Sequence, residues 1–269
     1  MSRRAGGAQM RRRAGGAQMK QSLRAEWTKL RTVASTGWLL LGTVAVTVAV
    51  SAAADAADLC TSSAGCRPDV TRLGLTGTDV GQAVVAIVAV LAVTAEYGTG
   101  MIRTTLAAVP RRTAVLAAKA AVVGGLTLAA GGAGVLGSVL AGELILPGRG
   151  LTLPAGPTAR AAAGTVLYLI LIALLSLGVA TIIRDSAAAI GTVLGLLYLP
   201  PVIAAVLASN PQVQRAIERW APMNAGLTIQ DTTNLHGLPI SPWGGLIVLA
   251  IWAAAALLAA GLMFRLRDA

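Results

Sequence analysis

Charge is scarce in this sequence. Only 12% of its 269 residues are Asp, Glu, Lys or Arg, about half the roughly one-quarter share of a soluble domain. That shortage excludes an ordinary water-soluble fold. Histidine is almost missing: the single one, His236, reads as a solvated loop residue, and with it go the zinc sites and HExxH helices of metalloenzymes. The three lysines, Lys20, Lys29 and Lys119, are followed by Gln, Leu and Ala. No Gly-rich turn therefore leads into Lys and then Ser or Thr, the order that holds nucleotide phosphates. Aromatics make up 3%, so a net charge of +11 has no basic, aromatic-studded soluble module to sit on, and nucleic acid is not an expected partner. No catalytic residue, metal ligand or cofactor of its own is assigned to the chain.

What is present is apolar sequence, 55% of the total. Six stretches approach or exceed the ~20 residues a helix needs to cross the hydrocarbon core: 32 to 54, 80 to 95, 120 to 142, 161 to 183, 186 to 208 and 243 to 264. None contains Asp, Glu, Lys, Arg or His. The second is shortest, and Asp79 and Glu96 bound it at the two interfaces. The expected fold is all-α and integral to the membrane, with six transmembrane helices. The absence of ionisable groups from all six argues against an embedded enzyme or an ion-coupled transporter, which need such groups at membrane depth.

Lys and Arg are retained on the cytoplasmic side of a membrane. With the N-terminus inside, sixteen of the 22 bases fall on that side, among them Lys20, Arg31, Arg103, Arg111, Arg112, Lys119, Arg184 and Arg265. Six Arg face seven acids on the other. Both termini are expected in the cytoplasm, with the chain in the cell membrane. Cys60 and Cys66, the only cysteines, share the first outer loop, where an oxidising compartment favours a local disulfide over two idle thiols.

Residues 3 to 10 and 12 to 19 repeat one octapeptide, RRAGGAQM. Such a segment cannot bury a core, so 1–19 is expected to be a disordered basic tandem repeat, with translation from Met10 or Met19 as an alternative. Residues 20–34 read as an amphipathic interfacial helix. Leu23, Trp27 and Leu30 recur at helical spacing, with Glu26 and Arg31 among the polar positions. It would lie in the inner interface as an elbow; a plain extension of the first span is the alternative. Residues 35–269 then form the six-span domain.

Three features mark the spans themselves. Ala117, Ala121, Gly125, Ala129, Ala133, Gly137 and Ala141 place a small residue at every fourth position of the third, a ridge for tight packing or for a moving seam. Pro200 and Pro201 remove donors from the fifth and imply a kink or an unwound turn. Asn210 and Pro211 read as an N-cap and first residue of a short surface helix that stops at Pro222.

The inner loop between spans two and three, EYGTGMIRTTLAAVPRR, has a definite pattern. Gly98 and Gly100 end the second span, Ile102, Leu106 and Val109 form an apolar face, Pro110 stops the turn, and Arg103, Arg111 and Arg112 supply cationic rims. This predicts a short amphipathic helix able to seat in a groove on a cytoplasmic protein, or a surface loop with ordinary positive-inside charge.

This loop, with SLRAEWTKLRT at 22 to 32, resembles permease subunits of ABC type-2 exporters of high-GC Gram-positive bacteria. The matching residues are Glu96, Gly98, Thr99, Arg103, Pro110, Arg111 and Arg112, followed by Lys119; WAPMNAGLTI at 220 to 229 also looks like the family's stretch before its last span. The resemblance implies efflux by a dimer of permeases, homomeric or heteromeric, bound to two copies of a separate ATPase that carries the ATP and Mg. It makes the loop a coupling helix and the elbow a second ATPase contact. A non-transporting membrane scaffold or sensor is the alternative. The substrate cannot be read from the spans.

Overall fold

A computed structural model describes residues 34–57, 69–98, 112–145, 156–207 and 210–266. Among them every regular element is a helix, with no strand, and six helices are long and apolar enough to cross a membrane. The tandem repeat, the elbow (Leu23, Glu26, Trp27, Leu30, Arg31), Cys60, Cys66 and the loop residues Thr99, Gly100, Arg103, Leu106, Pro110 and Arg111 lie outside the described residues.

In chain order the helices are α1 (Ala34–Ala56), α2 (Val70–Gly74), α3 (Thr78–Gly98), α4 (Arg112–Ile145), α5 (Gly156–Ile183), α6 (Ser186–Val206), α7 (Pro211–Trp220), α8 (Pro222–Leu227) and α9 (Pro242–Leu266). Their starts follow from local chemistry. Asp69, Asp185 and Asn210 cap α2, α6 and α7 by accepting from the amides of Arg72, Ala188 and Val213, and proline opens α7, α8 and α9, where its missing N–H costs nothing. The turn from α5 into α6 is only Arg184 and Asp185, which drives Arg184 to a left-handed φ of 66°.

α5 is the hub. It packs against α3, α4, α6 and α9, so its side chains are covered on several faces; Tyr168, Leu169, Ile172, Ala173 and Leu177 are all fully buried. α1 stands at the side of the bundle on α4 and α3. Close approaches occur where a helix offers glycine. A Cβ on Gly178 would meet backbone and Cβ of Ala256 at 2.8 Å, which seats α5 directly on α9. Gly77 and Gly81 of the α2–α3 segment lie against Thr47 in the same way, and Gly137 of α4 meets Val48.

Several boundaries differ from the sequence reading. The third span runs to Ile145 and begins seven residues before Lys119, and the fourth includes Arg160. Asp79 and Glu96 both lie inside α3. Charged residues therefore do enter the helices, near their ends, and the uncharged runs are shorter than α3, α4 and α5 for that reason. α6 continues as one helix through Pro200 and Pro201, with no unwound turn. The small-residue ridge does not form a seam within the chain: Ala117, Ala121, Gly125, Ala129 and Ala133 are exposed, and Gly125 has nothing within 4 Å of a would-be Cβ. α4 instead buries Val115, Leu116, Val123, Val135 and Val139. The valines of this face pack inward, while Leu128, Leu136 and Leu140 are exposed together with the upper part of the ridge.

Candidate functional site

The two ends of the bundle differ in chemistry, and α3 connects them. Its 21 residues rise about 1.5 Å each, so Asp79 and Glu96 stand at opposite ends of a rod roughly 30 Å long.

At the Asp79 end, the chain does more than cross from α7 to α9. The sequence reading stopped a surface helix at Pro222. α7 is indeed a surface helix with no buried residue, but Pro222 starts α8, and the stretch through Gln230 turns back into the bundle. Met223, Ala225, Leu227 and Ile229 are buried there. Three glycines admit it: a Cβ on Gly226 would meet the Tyr168 ring at 2.6 Å, Gly164 of α5 faces Ile229, and Gly245 of α9 faces the carbonyl of Ala225. Below this wedge Gln82 is wholly buried. Its amide nitrogen donates to the carbonyl of Asp79 at 3.1 Å and to Met223 Sδ at 3.2 Å, and its oxygen accepts from the hydroxyl of Tyr168. The hydroxyl of Tyr198, on α6, also donates to the carbonyl of Asp79.

Polar contacts then fasten the wedge's exit to α2 and α5. Arg72 forms an ion pair with Asp231 Oδ1, and Arg160 donates to the Asp231 carbonyl. Asp69 accepts from Thr232 Oγ1 at 2.7 Å, from the amide of Thr233 at 2.9 Å, and from the amide of Thr232. Burial raises the Asp69 pKa, but these hydrogen bonds, first from Thr232 and then from Thr233 and Arg72, outweigh it and hold the carboxyl below its ordinary value. Between wedge, α2–α3 and α6 lies a cavity of about 370 Å³, lined by Arg72, Asp79, Glu218, Asn224, Thr228 and Asp231 on its polar side and by Pro201, Met223, Leu227, Leu238 and Pro239 on its apolar side.

At the Glu96 end, the salient feature is a buried ion pair. Lys119 Nζ lies 2.7 Å from Glu96 Oε1, with both side chains almost fully enclosed, and Lys119 also reaches the carbonyl of Ala92 at 3.4 Å. Beside it the guanidinium of Arg184 sits 5.1 Å above the ring of Tyr97. The pair ties the last turn of α3 to α4 two turns inside its start. These are the two helices that flank residues 99–111. Gly98 is the last residue of α3, with open space where a Cβ would stand. Of the sequence-assigned coupling residues, the structure thus places Glu96 in a buried pair and Gly98 at the helix end; Arg112 opens α4.

Gln82, Tyr168, Arg72, Asp69 and Asp231 were not singled out from sequence. Gln82 carried the one usable signal, since a primary amide inside an apolar run must find partners when buried. Neither any protein-family model nor any curated protein sequence matches the chain.

Proposed function

We propose that this chain is the membrane-spanning permease subunit of an ATP-binding-cassette exporter, moving a substrate out of the cytoplasm while a separate ATPase subunit, present in two copies, hydrolyses ATP with Mg. The observation that carries this reading is the enclosed Glu96–Lys119 pair. A force applied to the loop between them reaches α3 and α4 together, because separating two buried opposite charges is costly. α3 and α4 both pack on the hub helix α5, so a push at the loop is delivered to the centre of the bundle. The motif residues Glu96, Gly98, Thr99, Arg103, Pro110, Arg111 and Arg112 support the same assignment by resemblance.

Dimerisation is part of the proposal. Ala117, Ala121, Gly125, Ala129 and Ala133 face outward beside the exposed Leu128 and Leu136, which suits close approach of a second permease in lipid. With the Glu96 end in the cytoplasm, the cavity at the Asp79 end opens toward the outer face, and both termini are cytoplasmic in the cell membrane.

The test is purification of the tagged chain in mild detergent with mass spectrometry of what accompanies it, for the wild type and for a variant with residues 98 to 106 scrambled. An ATPase that is recovered with the wild type and lost on scrambling is the expected result. No ATPase, or one indifferent to the loop, would shift the assignment to a scaffold or sensor.

A further inference from the structure

The cavity at the Asp79 end is chemically one-sided. Its charged lining consists of Arg72 against three carboxylates, Asp79, Glu218 and Asp231, and Arg72 is already committed to Asp231 Oδ1. The enclosed lining atoms left without a hydrogen-bond partner are acceptors. Asp231 Oδ2 has none although the residue is 6% exposed, and Asn224 Oδ1 has none. Asp79 adds a partly buried carboxylate to the lining, while its backbone carbonyl accepts from Gln82 and Tyr198. A buried carboxylate oxygen without a donor is expensive in an apolar setting, and the arrangement is relieved by an occupant that brings N–H donors and positive charge.

The rest of the cavity narrows the class. Among the described residues no three His, Cys, Asp or Glu side chains form a group that could hold a metal ion, so the acceptors are matched here to an organic cation. Opposite them stand Pro201, Met223, Leu227, Leu238 and Pro239, a surface for hydrocarbon. The volume falls at the lower end of the ~300–1,000 Å³ typical of small-molecule sites. The geometry points to a binding site for a primary alkylammonium, its head between Asp231, Asn224 and Asp79 and its chain on the proline and leucine wall. The head can belong to a free amphiphilic amine or to the amino headgroup of a lipid. The site stands whether or not the chain works with an ATPase, because nothing in it depends on the other end of the bundle.

The experiment uses the purified full-length chain, without ATPase, in nanodiscs of phosphatidylcholine, titrated calorimetrically with hexylammonium, hexanol and hexanoate. Hexylammonium is expected to bind saturably, hexanol at least tenfold more weakly, and hexanoate not at all. Asp231→Asn and Asn224→Leu should each weaken hexylammonium binding by tenfold or more. Asp231→Asn also strips Arg72 of its partner, so Asn224→Leu, which leaves that pair intact, and an unchanged thermal midpoint keep the test informative. Equal binding of the three probes, or wild-type affinity in a folded Asn224→Leu, would overturn the assignment. Repeating the titration with phosphatidylethanolamine in the nanodisc separates the two sources: competition identifies the headgroup as occupant, and unchanged affinity identifies the free amine.

Discussion

Tyr168 and Gln82 are 86 positions apart and are joined by a hydrogen bond in the interior, the phenol donating to the amide oxygen. Both residues are wholly buried. Tyr168→Phe therefore strands the Gln82 oxygen where no water reaches it, and the expected loss is about 1–3 kcal/mol of stability. The double variant Tyr168→Phe/Gln82→Leu, which removes the stranded group as well, should recover part of that loss. Thermal unfolding in one detergent compares them, and a double variant no better than the single would show that packing, not the hydrogen bond, sets the cost.

The Glu96–Lys119 pair should show the asymmetry expected of enclosed charges. Lys119→Met removes the cation 2.7 Å from a carboxylate whose side chain is 6% exposed, at an expected cost of about 3–5 kcal/mol. Glu96→Leu/Lys119→Met is expected to lie within about 1–2 kcal/mol of the wild type. Under the exporter reading the double variant should still fold and bind its ATPase but lose ATP-driven transport. Wild-type transport by the double variant would remove the pair from the coupling route.

Asp69 gives the bundle a dependence on acid. Its folded pKa is held below the ordinary 3.8, so the stabilisation is complete above that value and is lost as pH falls through the folded pKa. The thermal midpoint is expected to decline below about pH 4, and Asp69→Asn should lower the midpoint at neutral pH while flattening the decline. Superimposable pH profiles for the two proteins would exclude Asp69 as a contributor.

Two glycines on neighbouring helices should respond in opposite ways to the same change. Gly178→Leu drives a side chain into the Ala256 backbone and is expected to destabilise the chain by about 3 kcal/mol or more. Gly125→Leu meets nothing within 4 Å and should leave the monomer as stable as before, while, under the proposed dimer, weakening the association of two copies. Sedimentation in detergent reads the second effect; a Gly125→Leu protein as dimeric as the wild type would place the dimer contact elsewhere.

Much of the bundle was legible because lipid imposes a simple rule: a crossing helix must be long and apolar. That rule located all six spans and failed at their ends, where Asp79, Glu96, Lys119 and Arg160 are tolerated inside helices because they find partners or stay near an interface. Asn210 and Pro211 announced α7 correctly, since an N-cap is local chemistry. The inward turn after Pro222 was invisible for the opposite reason. It depends on Gly164, Gly226 and Gly245, scattered over 80 positions, each being small where another segment arrives. The ridge on α4 was legible as a small face, but spacing does not show which neighbour such a face meets.

The placement of α1 carries a consequence for biosynthesis. Thr43, Thr47, Ser51 and Asp55 form a buried stripe on it, and its principal neighbour α4 begins at residue 112. A chain made from its N-terminus thus delivers α1 to the bilayer well before the surface that will cover that stripe exists. The hydroxyls of Thr43 and Thr47 bond the carbonyls of Leu39 and Thr43, one turn back in the same helix, so these two polar groups are satisfied during the wait. Only after α3 and α4 have emerged do the stripe's remaining contacts form, Gly77 donating to Ser51 at 3.0 Å and Ser138 donating to the Thr47 carbonyl at 3.3 Å. α1 thus waits for α4, two spans later in the chain, before it is held in place.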